Sequence, residues 1–256
     1  MTEPVRSAVV VGGARGIGRA IVEQLALADL ARRVVVADLN EVDARAVAEG
    51  LRQRGAQVEA VGVDVRDSAS IDQLVQSAGP TDKLAIAAGI FRATPTLEAT
   101  VAEFEEVFGV NTIGCFQVAQ RFASDMVGNG GGSIVAVASV AARMPRVRQA
   151  AYSASKAALR QALRVLALEV VDRGVRINTV SPGPTETEMM LELARDHSSL
   201  NALALGELET FRPRVPAGRV ADADDVASAV CFLLSDASRH IMLSDLVVDG
   251  GEMLGM

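Results

Sequence analysis

Val9-Val10-Val11-Gly12-Gly13-Ala14-Arg15-Gly16-Ile17-Gly18 runs from an apolar strand through glycines into the start of a helix. Glycine lets the backbone turn tightly and approach a pyrophosphate, and a helix N-terminus offers free N–H groups and the positive end of its dipole. A glycine-rich turn alone is weak evidence. Here a strand precedes it, a helix follows, and a second strand ends in Asp38 about 20 residues on. A carboxylate at that position accepts hydrogen bonds from an adenosine ribose and repels a 2′-phosphate. The expected cofactor is therefore NAD rather than NADP, held by Gly12, Arg15, Gly16, Ile17, Gly18 and Asp38. Arg15 and Arg33 are a mild counter-signal, because a basic side chain could receive a 2′-phosphate. Asp64-Val65 closes a third strand, where a carboxylate can meet the adenine amino group or cap the next helix.

Outward from this turn, short Val-rich runs alternate with longer amphipathic ones. Strands are expected at Ala8–Val11, Arg33–Ala37, Gln57–Val63, Lys83–Ala87, Gly132–Ala138, Arg176–Val180 and Leu246–Val248. Helices are expected at Gly16–Asp29, Glu41–Arg54, Ser68–Ser77, Val101–Met126, Ala150–Asp172 and Asp222–Leu234. Continuous apolar strands alternating with helices point to a parallel sheet covered on both faces. Right-handed crossovers make it doubly wound. The glycine run 128–132 is too short to serve as a linker between domains, so a single α/β domain over residues 1–256 is expected. Pro184–Pro216 is the one long stretch without a strand, and reads as a substrate lid.

Composition narrows the chemistry. The chain has 256 residues, half of them hydrophobic, so a sizeable core is within reach. Aromatics are only 3%, so Ala, Val, Leu and Ile must build that core. A net charge of −7 argues against a nucleic-acid partner, which needs a basic face. No apolar run approaches the roughly 18 residues of a spanning helix. Met1–Arg6 leads straight into a strand, so no signal peptide is expected. Cys115 and Cys231 stand in apolar helical contexts and read as reduced core residues of a cytoplasmic protein. His197 and His240 are isolated, and no cluster has metal-ligand spacing.

Tyr152 and Lys156 carry the chemistry. They stand four apart in Ala151-Tyr152-Ser153-Ala154-Ser155-Lys156, on one face of a helix. Tyr152 is the only tyrosine in the chain. A fixed cation beside a phenol favours the phenolate, which makes a tyrosine a usable acid/base.

Taken together, Gly12-x-x-x-Gly16-x-Gly18, Asp38, Asp64, Asn111, Ser139, the Tyr152/Lys156 pair and Ser181-Pro182-Gly183 resemble the short-chain dehydrogenase/reductase family in order and spacing. The resemblance spans essentially the whole chain. It implies one Rossmann-type domain with about seven parallel strands and a nicotinamide cofactor. Ser139 would hold the substrate oxygen and Tyr152 would be the acid/base. Lys156 would support Tyr152 and hold the nicotinamide ribose, and Asn111 would position a water linking Lys156 to solvent. Ala88 and Gly89, with Pro182, Gly183 and Thr187, would line the cofactor. Family members are usually homotetramers that pair through Val101–Met126, Ala150–Asp172 and the last strand. Two departures stand out. Val11 replaces a usual Thr, and Ile86-Ala87-Ala88-Gly89 replaces Asn-Asn-Ala-Gly. Both sides turn apolar together, which reads as packing in place of a polar tie.

The second half resembles the subgroup that oxidises dihydro-dihydroxybenzoates to the aromatic catechol acid in siderophore metabolism. A small anionic cyclic substrate needs a cation, and Arg143, Arg146 and Arg148 lie between Ser139 and Tyr152. A guanidinium fork matches a carboxylate. Arg146 matches the subgroup's Pro-Arg and is the expected ligand beside Ser139 and Tyr152; Arg92 is a second candidate. A 2,3-dihydro-3-hydroxyanthranilate would fit nearly as well. An NADPH-dependent 3-oxoacyl or carbonyl reductase and a non-catalytic nucleotide-binding scaffold are the rival classes.

Overall fold

The computed structural model describes residues 7–28, 30–190 and 200–255. Its strands are β1 (Ser7–Val11), β2 (Arg33–Asp38), β3 (Val58–Gly62), β4 (Lys83–Ile86), β5 (Gly132–Val137), β6 (Val175–Pro182) and β7 (Asp245–Val248). They form one sheet in the order β3-β2-β1-β4-β5-β6-β7, every pair parallel. Strand order reverses between β1 and β4, and ligands of such sheets sit at the carboxyl edge above that point. The doubly wound α/β fold expected from the alternating pattern is the fold observed.

The helices are α1 (Gly16–Leu27), α2 (Glu41–Arg52), α3 (Ser68–Ala78), α4 (Val101–Phe108), α5 (Cys115–Gly128), α6 (Ala150–Val170), α7 (Leu200–Leu205) and α8 (Ala223–Leu234). Side chains alternate across a strand, so each strand feeds two cores. Val9, Val11 and Ile86 join Leu74 of α3, Phe122 of α5 and Leu159 of α6 on one face. Ala8, Val10 and Val36 join Ile21 of α1, Ala44 of α2 and Val230 of α8 on the other. Val11 and Ile86, the two departures from the family pattern, are directly opposite on β1 and β4. Both are essentially fully buried, so an apolar cross-strand pair does replace the polar tie.

The long helix expected over Val101–Met126 is broken. Between α4 and α5 the backbone widens into a π turn at Gly109–Gly114. A Cβ on Gly114 would lie 2.6 Å from the Val65 carbonyl oxygen, so the turn crowds the end of β3. π turns inside helices are frequent at functional sites, and this one carries Asn111. His240 is exposed, and His197 lies outside the described residues, as do Met1–Arg6 and Asp29. Cys115 and Cys231 are free and buried; burial pushes their thiols up to about 11 and about 12. Among the described residues no helix is long and apolar enough to cross a membrane, and no group of acidic, histidine or cysteine side chains could hold a metal.

Arg33 does not belong to the nucleotide edge. It opens β2, while Asp38 closes it, roughly 16 Å away at the strand rise of about 3.3 Å per residue. Its guanidinium grips Glu59 with two bonds of 2.8 Å. The hydrogen bond from Arg33 holds the Glu59 carboxyl below its ordinary 4.5. A carboxyl lowered in the folded state stabilises the fold above its unfolded pKa and loses that contribution as pH falls through the folded value. Glu59 is more than half exposed, so Glu59→Gln should cost under about 1 kcal/mol at neutral pH. That difference should vanish in acid, which urea denaturation at both pH values will show.

Candidate active site

One cavity of ≈ 580 Å³ opens at the carboxyl edge of the sheet. Its wall contains all the residues expected to hold the cofactor: Gly12, Arg15, Gly16, Ile17, Gly18, Asp38, Asp64, Val65, Ala88, Gly89, Pro182, Gly183 and Thr187. Ser139, Arg146, Tyr152 and Lys156 line the same space. Each comes from a strand end or the element after it, so the topology gathers residues far apart in sequence.

The glycine turn leaves no room for a side chain at Gly12 or Gly18. Gly12 takes φ +80°, and a Cβ there would lie 2.5 Å from the Ala88 nitrogen. The chain leaving β1 thus lies hard against the chain leaving β4. Asp38 is buried at the end of β2, where its carboxylate accepts from Ala14 N–H at 3.0 Å and Asn40 N–H at 3.0 Å. The same carboxylate thus fixes the glycine turn and faces the cavity. Asp64 is clasped by Arg66 at 2.7 and 3.0 Å, and that hydrogen bonding holds its carboxyl below the ordinary range. Asp64 does not cap the next helix. Asp67 does so, accepting from Ala69 N–H at 3.0 Å.

Tyr152 stands in the first turn of α6 and Lys156 one turn later. Lys156 is buried, donates to the Val137 carbonyl at 2.9 Å, and places Nζ 5.9 Å from the Tyr152 ring centroid. That bond ties the catalytic helix to the end of β5. Ser139 follows β5 in extended backbone, and its Oγ accepts from Ala141 N–H at 3.1 Å, leaving its own hydroxyl hydrogen for a ligand. Phe91 packs on Tyr152, centroids 4.9 Å apart and rings tilted by 60°.

Asn111 lies behind the cavity, fully buried. Its Oδ1 accepts from Ile90 N–H at 2.8 Å, and its Nδ2 donates to Ile90 O at 2.9 Å and Ser155 Oγ at 3.1 Å. The side-chain amide is therefore spent on protein groups. It fixes the loop that presents Gly89 and Phe91 to the Tyr152/Lys156 pair.

The arginines separate clearly. Arg143 leaves the cavity and binds Asp245, which also receives Arg160, Thr179 and Ser181. Arg148 points to the Ala93 carbonyl, and Arg92 lines the cavity but pairs with Glu106 at 2.7 Å. Arg146 does reach the cavity wall, where Nη2 lies 2.7 Å from Glu252 Oε1. Arg212 joins the same carboxylate at 3.8 Å. Burial pushes the Glu252 carboxyl up and the Arg212 guanidinium down, while their opposite charges pull each back. Two guanidiniums on one carboxylate give this trio one formal positive charge in excess, with Glu207 and Asp249 acting on it from nearby. Sequence patterns do not single out Arg212 or Glu252. Both sit in irregular segments where a charged residue usually faces water.

A serine hydroxyl, a tyrosine beside a buried lysine and a glycine turn stand in one cavity, and the comparisons agree with that geometry. The family model described as enoyl-(acyl carrier protein) reductase matches residues 12–252. The chain belongs to the short-chain dehydrogenase/reductase family. It is 37% identical to the 2,3-dihydro-2,3-dihydroxybenzoate dehydrogenase of Bacillus subtilis over 97% of this chain and 96% of that protein. It is 34% identical to the vibriobactin-specific 2,3-dihydro-2,3-dihydroxybenzoate dehydrogenase of Vibrio cholerae, over 96% and 95%. A Beutenbergia cavernae protein described as an NAD(P)-dependent gluconate 5-dehydrogenase, solved with NADP at low occupancy, superposes with a TM-score of 0.88. It is 30% identical and the match covers 99% of this chain and 98% of that one. This chain is thus an oxidoreductase of a nucleotide-dependent family, and a non-catalytic scaffold has no support.

Proposed function

We propose that this oxidoreductase uses NAD to oxidise the ring C3 hydroxyl of 2,3-dihydro-2,3-dihydroxybenzoate, giving 2,3-dihydroxybenzoate. The observation that carries the substrate is the positively charged Arg146/Arg212/Glu252 wall in the cavity that holds Ser139 and Tyr152. A ring carboxylate completes its charge. Ser139 holds the reacting oxygen, and Tyr152 takes its proton while Lys156 supports the phenolate. The nicotinamide, when bound, supplies the hydride acceptor. The ketone left behind tautomerises to an aromatic ring, which draws the oxidation forward.

Asp38 supports NAD over NADP: its buried carboxylate repels a 2′-phosphate, and Arg33 is at the far edge. The same reading puts the reaction in cytoplasmic, siderophore-type metabolism. Buried, unreactive cysteines suit a reducing compartment. A homotetramer is supported by the exposed Val165 and Leu168 of α6, apolar side chains suited to a helix of a second copy. A second substrate, 2,3-dihydro-3-hydroxyanthranilate, carries the same ring carboxylate and would meet the same arginines.

The test is NADH formation with each ring acid, with NADP as the comparison. Turnover is expected with NAD, and Asp38→Ser should narrow the preference on the order of tenfold, about 1.4 kcal/mol. No NADH from either acid would sink the substrate assignment and leave the family standing. A wild-type preference for NADP would sink the cofactor assignment.

A further inference from the structure

Arg146 and Arg212 are not equivalent partners of Glu252. Arg146 is 7% exposed and its Nη2 lies 2.7 Å from Glu252 Oε1, whereas Arg212 is 18% exposed and its Nε lies 3.8 Å from that oxygen. Arg146 Nη1 is buried with no hydrogen-bond partner among the described residues, as is Nε of Arg212. The Glu252 charge is thus set mainly against Arg146. Arg212, the more exposed of the two and the looser partner of Glu252, lines the same cavity.

The backbone around Arg212 is built for this. Glu207 and Arg212 exchange two backbone hydrogen bonds of 2.9 and 2.8 Å, closing a tight turn. Gly206 enters it at φ +77°, where a Cβ would lie 2.7 Å from the Arg212 carbonyl oxygen. Phe211 takes φ +55°, a left-handed conformation that bulky residues avoid. Its own side chain is 85% exposed, so burial of that ring does not explain the strain. The strained residue precedes the one that enters the cavity.

We propose that Arg212 is the direct anchor of the substrate carboxylate, and that Arg146 with Glu252 is a fixed ion pair behind it. The assignment rests on the carboxylated ring proposed above. A guanidinium fork takes a carboxylate through two parallel hydrogen bonds, and the added negative charge brings the wall to neutrality. It also gives the turn at Gly206–Arg212 a role in recognition. That turn delivers the specificity residue, while the Ser139/Tyr152 side performs the chemistry.

The test compares the carboxylated diol with 5,6-dihydroxycyclohexa-1,3-diene, the same ring without its carboxylate, in wild-type and Arg212→Met enzymes. Arg212→Met leaves a neutral Arg146/Glu252 pair, so no buried charge is orphaned. The variant should lose the wild-type preference for the carboxylated ring on the order of fiftyfold, mainly through KM. Arg212→Lys keeps the charge without the fork and should recover some of that preference. Calorimetric titration of 2,3-dihydroxybenzoate and catechol onto the NADH complex reads the same preference without turnover. An Arg212→Met enzyme that keeps the preference, or weakens on both rings equally, overturns the assignment. Failure of the substrate proposal looks different: the wild type itself shows no preference for the carboxylated ring, and the Arg212 assignment falls with it.

Discussion

Tyr152→Phe is expected to lower turnover roughly a thousandfold, the middle of the range for losing a general acid/base, while cofactor binding holds. Phenylalanine deletes one oxygen and little else. The ring remains, so its contact with Phe91 at 4.9 Å is kept. Lys156 is anchored by the Val137 carbonyl, not by the phenol, so the helix stays where it is. The Gly12–Gly18 turn and Asp38 approach from β1 and β2 and do not depend on Tyr152. The melting temperature should therefore match wild type, and the loss should fall on kcat. Turnover close to wild type in Tyr152→Phe would show that another group moves the proton. Loss of cofactor binding together with turnover would instead assign Tyr152 a structural role.

What is legible in the chain follows its period. The doubly wound parallel sheet can be read because buried parallel strands are short Val-rich runs and because glycines mark the β1 turn; the strand order that sets its switch point cannot. Tyr152, Lys156 and Ser139 can be read because motif spacing places them on fixed sides of a strand end and a helix. The π turn at Gly109–Gly114 cannot, since it changes the backbone register within a helix and leaves the apolar pattern nearly unaltered. Arg33 misleads because charge is visible in a sequence while the end of the strand it occupies is a matter of geometry. The arginine cluster misleads for a similar reason: Arg143, Arg146 and Arg148 are neighbours in sequence, yet only Arg146 enters the cavity. Glu252, which it pairs with, and Arg212, which shares that carboxylate, come from the chain's last residues and an irregular turn. No periodicity connects such positions; only the closed fold brings them together.

Gly18→Ala should be the most damaging single-methyl change in the nucleotide edge, and Gly50→Ala its benign counterpart. An alanine Cβ at position 18 would lie 1.9 Å from the Gly12 carbonyl oxygen and 2.8 Å from its carbon. Both are backbone atoms, so no side chain can swing aside. Gly12 cannot retreat, because it already crowds Ala88 across the β1/β4 gap. Relief must come from moving α1, whose Ile21, Val22 and Leu25 are locked in the core against α8. Overpacking of this kind reaches about 3 kcal/mol, a fall in Tm of roughly 6–12 °C for a domain this size. The displaced α1 N-terminus should weaken NAD binding as well. At Gly50, near the end of α2, nothing lies within 4 Å of the added methyl. There alanine restricts the unfolded chain and favours the helix, so Gly50→Ala should stabilise by about 0.5–1 kcal/mol. The same substitution with opposite signs separates close backbone approach from the general cost of glycine. If Gly18→Ala melts and binds NAD like wild type, the turn does not come together as tightly as the cradle requires.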